Sequence, residues 1–171
     1  MNARALERLG PHGAFGLALC AAAKRDDRVV ALTADLGNAS GLGRFSRTYP
    51  VRFWNVGIAE QNLVGVAAGL AEEGRIPFAT SFAAFIAMRS CEQVRHHLGL
   101  MQRNVKLVGI GAGLTMRHFG ADHCGDEDLG IIRAIGGIKI WRPVDCTEVY
   151  DSVLEIAEHD GPAYLRLEEI K

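Results

Sequence analysis

Apolar positions recur along the chain in two rhythms. Runs that are apolar almost throughout occupy 29–34, 53–56, 76–80, 105–110, 138–141 and 163–167, the pattern of parallel strands covered on both faces. Between them lie helix-length segments at 14–24, 60–72, 85–100, 128–135 and 147–158. The second of these is apolar nearly all round (Leu63, Val64, Val66, Ala67, Ala68 and Leu70), as a central buried helix would be. Gly74 follows its end and Pro77 opens the next strand region, a sensible stop signal. Asp145 or Thr147 is placed to cap the last helix. Strands alternating with helices predict an α/β fold, an open, mainly parallel sheet of about six strands with helices on both faces. No repeat, low-complexity tract or linker divides it, so residues 1–171 are expected to form a single domain.

In such sheets ligands bind beyond the carboxyl ends of the strands. That rule gathers four loops on one rim, 35–40, 57–62, 80–85 and 111–127, where polar and aromatic residues concentrate. One stretch stands out. In "FWNVGIAEQN" a strand-like run ends in glycine, and a glutamate, Glu60, then opens a helix beside Ile58 and a long apolar segment. A half-buried carboxylate needs a partner, because burying an uncompensated charge is costly. Read in isolation, Glu60 is better taken as a solvated first-turn glutamate favoured by the helix dipole.

Composition narrows the options. Apolar residues make up 49%, enough for a substantial core, and the net charge of −1 argues against a nucleic-acid surface held by a basic patch. Apolar runs are interrupted too often to span a bilayer, and the first ten residues carry Arg4, Glu7 and Arg8, unlike a signal peptide. The four cysteines form no CxxC pair, so neither a zinc ribbon nor a disulfide framework is signalled. The expectation is a cytoplasmic protein that engages no membrane.

"NVGIAEQNLVGVAAGLAEEGRIPF", "SFAAFIAMRSCEQ", "AGLTMRHFGADH", "EDLGIIRAI" and "RPVD" occur in an order that resembles the pyrimidine-binding domain of transketolase-like enzymes, from His12 to Leu167. Split transketolases resemble it best, ahead of 1-deoxyxylulose-5-phosphate synthase and the β subunits of 2-oxoacid dehydrogenases. The resemblance implies thiamine diphosphate as cofactor. In the family a glutamate, here Glu60, hydrogen-bonds N1′ of the aminopyrimidine and favours the tautomer whose 4′-imino nitrogen deprotonates the thiazolium C2. The same resemblance places Phe82 and Phe85 around the pyrimidine, with Phe85 stacked on the ring, and Asp35, Ile58 and Arg89 near the cofactor. Phe82 reads equally as a core side chain, Asp35 as a loop-starting residue and Arg89 as a solvated helix arginine. Met88 stands where the family often has a third aromatic.

The GDG…N signature that supplies magnesium ligands for the diphosphate is absent, and so is a third domain. The resemblance therefore implies half an active site. A separate chain would carry the diphosphate-binding domain and ligate Mg2+, in an α2β2 assembly.

The substrate end departs from the family. Where sugar-phosphate enzymes read "GEDGxTHQ", this chain reads "RHFGADHC". His123 keeps the place of the loop histidine that contacts substrate and assists proton transfer, but the preceding aspartate is Phe119. Asp122 and Cys124 flank the histidine. Of the family's phosphate-binding positions, an arginine is His12, a serine is Ala39 or its neighbour Ser40, and a second arginine is Glu169. Phosphate recognition favours guanidinium forks, so the pattern implies two-carbon ketol or acyl transfer on a substrate other than a sugar phosphate. His118 joins His12, Phe119 and Asp122 as a candidate substrate contact. Neither HxH nor HExxH spacing occurs, so no metal site is expected within the chain. A 2-oxoacid decarboxylase or dehydrogenase-type subunit, or a non-catalytic regulatory subunit of the same fold, shares the motif set.

Overall fold

A computed structural model describes residues 3–169. Six strands form one all-parallel sheet: β1 (Val29–Thr33), β2 (Phe53–Asn55), β3 (Ile76–Phe82), β4 (Lys106–Ile110), β5 (Lys139–Trp141) and β6 (Ala163–Arg166), in the order β2-β1-β3-β4-β6-β5. Thr33 pairs with Asn55 on one side and with Thr80 on the other, which fixes the ends of the three strands that matter most below.

Alternate side chains of the strands feed two cores. Val29, Ala31, Phe78, Val108 and Leu165 pack with α1 (Ala3–Arg25), α2 (Gly43–Thr48) and α6 (Cys146–Glu158) on one face. Val30, Leu32, Ala79, Leu107 and Tyr164 pack with α3 (Glu60–Glu72), α4 (Cys91–Val94) and α5 (Asp128–Ile135) on the other. Burial on both faces is why the strand sequences read as continuous apolar runs.

The helices follow the sequence with instructive departures. α6 begins where Asp145 accepts from the Glu148 amide (2.8 Å), while Glu148 reaches back to the Val144 amide (3.0 Å), a reciprocal cap that decides between Asp145 and Thr147. α1 starts eleven residues earlier than its predicted span. It breaks at Gly10 (φ 68°, ψ 175°) and resumes at Pro11, which suits a first helical turn. The predicted helix 85–100 is a composite: a π-helical turn over Phe85–Arg89, then α4, then a second π-helical turn over Arg95–Leu100. Ser90 marks the first junction, its hydroxyl bonding the Ile86 carbonyl at 2.8 Å. α2, unpredicted, buries only Phe45.

Two glycines seat α1 on the loop after β1. A Cβ on Gly16 would collide with the Gly41 carbonyl, and one on Gly41 (φ 82°) with the His12 carbonyl. Among the described residues no helix is long and apolar enough to cross a membrane.

Candidate active site

The chain leaves β1, moves to β2 at the sheet edge, and returns to the other side of β1 as β3. This reversal opens a crevice at the carboxyl ends of β1 and β3, the place where open α/β sheets bind ligands. A cavity of about 210 Å³ lies there, lined by Ala34, Asp35, Leu36, Ile58, Glu60, Phe82, Phe85 and His123. Four separate loops thus deliver six of the sequence candidates to one hollow.

Glu60 is 1% exposed, more deeply buried than the half-buried position expected from sequence. Its partners lie within the protein. Ser81 donates to Oε1 at 2.8 Å and Arg89 to Oε2 at 2.7 Å. Gly57 (φ 76°) turns the chain so that α3 starts on this residue, and its unpaired amides favour the negative charge. Each carboxylate oxygen can accept two hydrogen bonds, so acceptor capacity remains on the cavity side.

Phe82, Phe85 and His123 form an edge-to-face cluster, with centroids 5.9 Å apart between the phenylalanines and 5.1 Å between Phe85 and His123. His123 Nδ1 is buried and faces Asp122 Oδ1 at 3.2 Å, a contact that holds the Asp122 carboxyl below its ordinary pKa. A carboxylate with spare acceptors in a hollow walled by aromatic rings fits a planar, nitrogen-containing ring. The volume falls below the ~300–1,000 Å³ of pockets that enclose a whole drug-sized ligand.

Asp35 adopts φ 62°, unusual for a non-glycine residue. Asn55 holds it there, donating to Asp35 Oδ1 at 2.9 Å while its own Oδ1 accepts from the Asp35 and Gly57 amides at 3.0 Å. Asn55 escaped the sequence reading, although it stands in the same motif as Glu60; an asparagine ending an apolar strand was the available signal. Asp35 also borders a second groove of about 460 Å³, whose polar lining includes Asn38, Ser46 and Asn55 and no basic side chain.

Other candidates fall outside the cavity. Arg89 lies over the Phe85 ring, 4.1 Å from its centroid, and does not line the hollow. Phe119 is 58% exposed, stacked on His118 at 4.2 Å and 5.4 Å from His123, so both form an outer flap of the loop. Asp122 projects to solvent. His12 sits in α1 against the loop at Ala39, to whose backbone it hydrogen-bonds; burial pushes its imidazole pKa down and that bond opposes the shift.

The loop bearing His123 is pinned by residues missed in the sequence. Asp128, fully buried, accepts from Tyr164 Oη (2.7 Å) and Arg166 Nε (2.8 Å), and Arg166 reaches the Gly125 carbonyl (3.2 Å). Gly113 and Gly125 pair across the base of the loop. An arginine inside the buried run "AYLRL" was the signal, since such a residue needs a carboxylate. Arg166 also pairs with Glu168, and Arg142 donates to Glu168 at 2.8 Å.

Another hollow, about 480 Å³, lies at the opposite rim among Arg25, Arg28, Asn104 and His159. There Arg28 pairs with Asp26 at 2.7 Å, and nearby Lys106, fully buried, donates to the carbonyls of His159 (2.6 Å) and Gly161 (2.7 Å). Strand amino ends are not where this architecture binds ligands. Among the described residues no group of three or more His, Cys, Asp or Glu side chains is arranged to hold a metal ion.

Comparison with known proteins agrees with this geometry. Residues 12–171 match the family model described as transketolase, pyrimidine binding domain. The 6-deoxy-6-sulfo-D-fructose transketolase subunit SqwH of Clostridium sp. strain MSTE9 is 46% identical over 145 residues, 85% of this chain and 45% of that protein. One subunit of the apulose-4-phosphate transketolase of Phocaeicola vulgatus is 35% identical over 85% of this chain and 46% of its own length. A solved split-gene transketolase, described as an inactive β4 tetramer, superposes with a TM-score of 0.84 at 38% identity, covering 94% of this chain and 51% of that one. The chain thus spans about half the length of the relatives it matches.

Proposed function

The chain belongs to the transketolase pyrimidine-binding-domain family, and from that premise we propose that it is the pyrimidine-side subunit of a two-component, thiamine-diphosphate-dependent transketolase-like enzyme that moves a two-carbon ketol or acyl unit. One observation carries the reading: a buried carboxylate, two phenylalanine rings and a histidine meet in one cavity at the switch point of the sheet. Glu60 would hydrogen-bond N1′ of the aminopyrimidine and favour the imino tautomer, whose N1′–H donates to the carboxylate, Phe85 would stack on that ring, and Phe82 and Ile58 would keep water from it. His123 stands at the reacting end and exchanges protons with substrate oxygens. When bound, the cofactor supplies the carbon nucleophile and stabilises the fragment cleaved from the donor.

A cavity large enough for one ring supports a half-site. A partner chain with the diphosphate-binding domain holds the rest of the cofactor and its Mg2+, in an α2β2 cytoplasmic assembly. A substrate without a phosphate is favoured by the groove beside Asp35, whose lining is neutral apart from that acid, and by the commitment of Arg142 and Arg166 to carboxylates. The Clostridium relative is named for a sulfonated sugar and the Phocaeicola relative for a phosphorylated one, so the family spans both chemistries.

The test is to combine the chain with its diphosphate-domain partner, thiamine diphosphate and magnesium, and to follow exchange of the cofactor C2 hydrogen for deuterium. Exchange should be fast in the wild type and roughly 10²–10⁴-fold slower in Glu60→Gln. Equal, slow exchange in both would refute the reading. A panel of unphosphorylated and sulfonated ketoses, ketose phosphates and 2-oxoacids then tests the substrate class; activity confined to ketose phosphates would overturn the phosphate-poor assignment.

A further inference from the structure

We infer that Arg89 is a positioning residue, which acts on the cofactor ring through Glu60 and Phe85 and never touches the ring itself. The inference rests on the pyrimidine half-site proposed above. One guanidinium makes both contacts: it donates to Glu60 Oε2 at 2.7 Å and covers the Phe85 ring at 4.1 Å from its centroid. Glu60 and Phe85 both line the cavity and Arg89 does not, so the cation backs the wall that those two residues form.

The backbone is built for this arrangement. Phe85 and Arg89 are the first and last residues of a π-helical turn, and Ser90 closes it with an N–H to the Phe85 carbonyl at 3.3 Å. Single π-helical turns inside helices recur at functional sites because they redirect side chains. Here the turn brings two residues of one segment to bear on an acid that lies 29 positions from Arg89 in sequence.

The two contacts have separate consequences. On Glu60, Arg89 and Ser81 each take one carboxylate oxygen from behind, which fixes the plane of the carboxylate. The remaining lone pairs are thereby aimed at the cavity, where a ring N–H would be received. On Phe85, the guanidinium holds the ring at the angle presented to a stacked ligand. The Arg89 side chain is 45% exposed, so the cation stays hydrated while the carboxylate, at 2%, does not. Arginine suits the post because a planar fork can hydrogen-bond and stack together, whereas lysine supplies only charge.

The assembled complex with the diphosphate-domain subunit and magnesium provides the test, by calorimetric titration with two probes, thiamine diphosphate and inorganic pyrophosphate. Arg89→Ala should weaken thiamine diphosphate about 10–100-fold, the range for residues that orient first-contact ligands. It should leave pyrophosphate, which has no ring, unchanged. Arg89→Lys should recover only part of the loss. In a Glu60→Gln background most of the Arg89→Ala effect should vanish, because residues acting through one another are not additive. Full additivity, or an equal loss of pyrophosphate affinity, would overturn the inference, and so would unchanged thiamine diphosphate binding by Arg89→Ala. A wild type that binds thiamine diphosphate no better than pyrophosphate would instead refute the half-site reading. Melting temperatures of each variant identify any that fail to fold, and Arg89→Lys then carries the comparison.

Discussion

Two buried acids in this protein are built alike and differ in what surrounds them. Glu60 opens α3 and Asp128 opens α5; each is almost fully enclosed, and each is met by one hydroxyl and one arginine. Ser81 and Arg89 serve the first, Tyr164 and Arg166 the second. The difference lies in what is left over. Asp128 also takes the Leu129 amide and a second contact from Arg166 Nε, its arginine is 5% exposed, and it lines none of the hollows described above. Glu60 has two bonds, a half-exposed arginine and a cavity at its open side. A buried carboxylate becomes a site when part of its acceptor capacity faces space that a ligand can fill, and a strut when that capacity is used up.

The comparison breaks most readily at Asp128. Asp128→Ala leaves Arg166 enclosed with a weakened set of partners and should cost about 3 kcal/mol or more in urea denaturation, because removing one member of a buried pair strands the other. It should also loosen the loop at Gly125 and raise hydrogen exchange there. Glu60→Gln should cost only about 1 kcal/mol, because Arg89 is free to resolvate and Ser81 keeps an acceptor. A stability loss at Glu60 as large as that at Asp128 would erase the distinction.

Lys106 supplies a third buried charge and a sharper, smaller test. Burial pushes its ammonium from 10.5 down to about 8, with Asp160 opposing the shift. Between those values the unfolded chain binds the proton more tightly than the folded one. Stability should therefore rise with pH, by about 1 kcal/mol from pH 8 to pH 9, and the contribution is lost as pH falls through the folded value. Denaturation midpoints across that range, compared with Lys106→Met, read the effect; an identical slope in the variant would assign the rise elsewhere.

The sheet and its rim were legible because doubly covered strands are mostly apolar, and 29–34 and 105–110 are apolar apart from Thr33 and Lys106. The gathering of Glu60, Phe82, Phe85 and His123 followed from the strand-end rule together with family resemblance. What stayed hidden depends on residues far apart in sequence. Resemblance placed Arg89 near the cofactor, but its pairing with Glu60 appears only once the fold sets the two together, and Asp128 looks like an ordinary helix start until Tyr164 and Arg166 arrive on β6. The break at Ser90 was equally silent, since a π-helical turn adds a residue to the helix without a marker of its own. The start of α1 was masked by "LGPHG", which reads as a terminator although Pro11 begins a second helical arm.

The loop between β1 and α2 is locked at one end and open at the other. At Gly16 and Gly41 backbone meets backbone, so neither position has room for a side chain. Asn38, Ala39 and Ser46 instead face the groove that adjoins the cavity. For sequence variation in this loop, the usable alphabet is therefore confined to the open end. A library randomised at 38, 39 and 46 would vary the lining of that groove on an intact scaffold, whereas the same diversity at 16 or 41 would be spent on proteins whose first helix no longer seats.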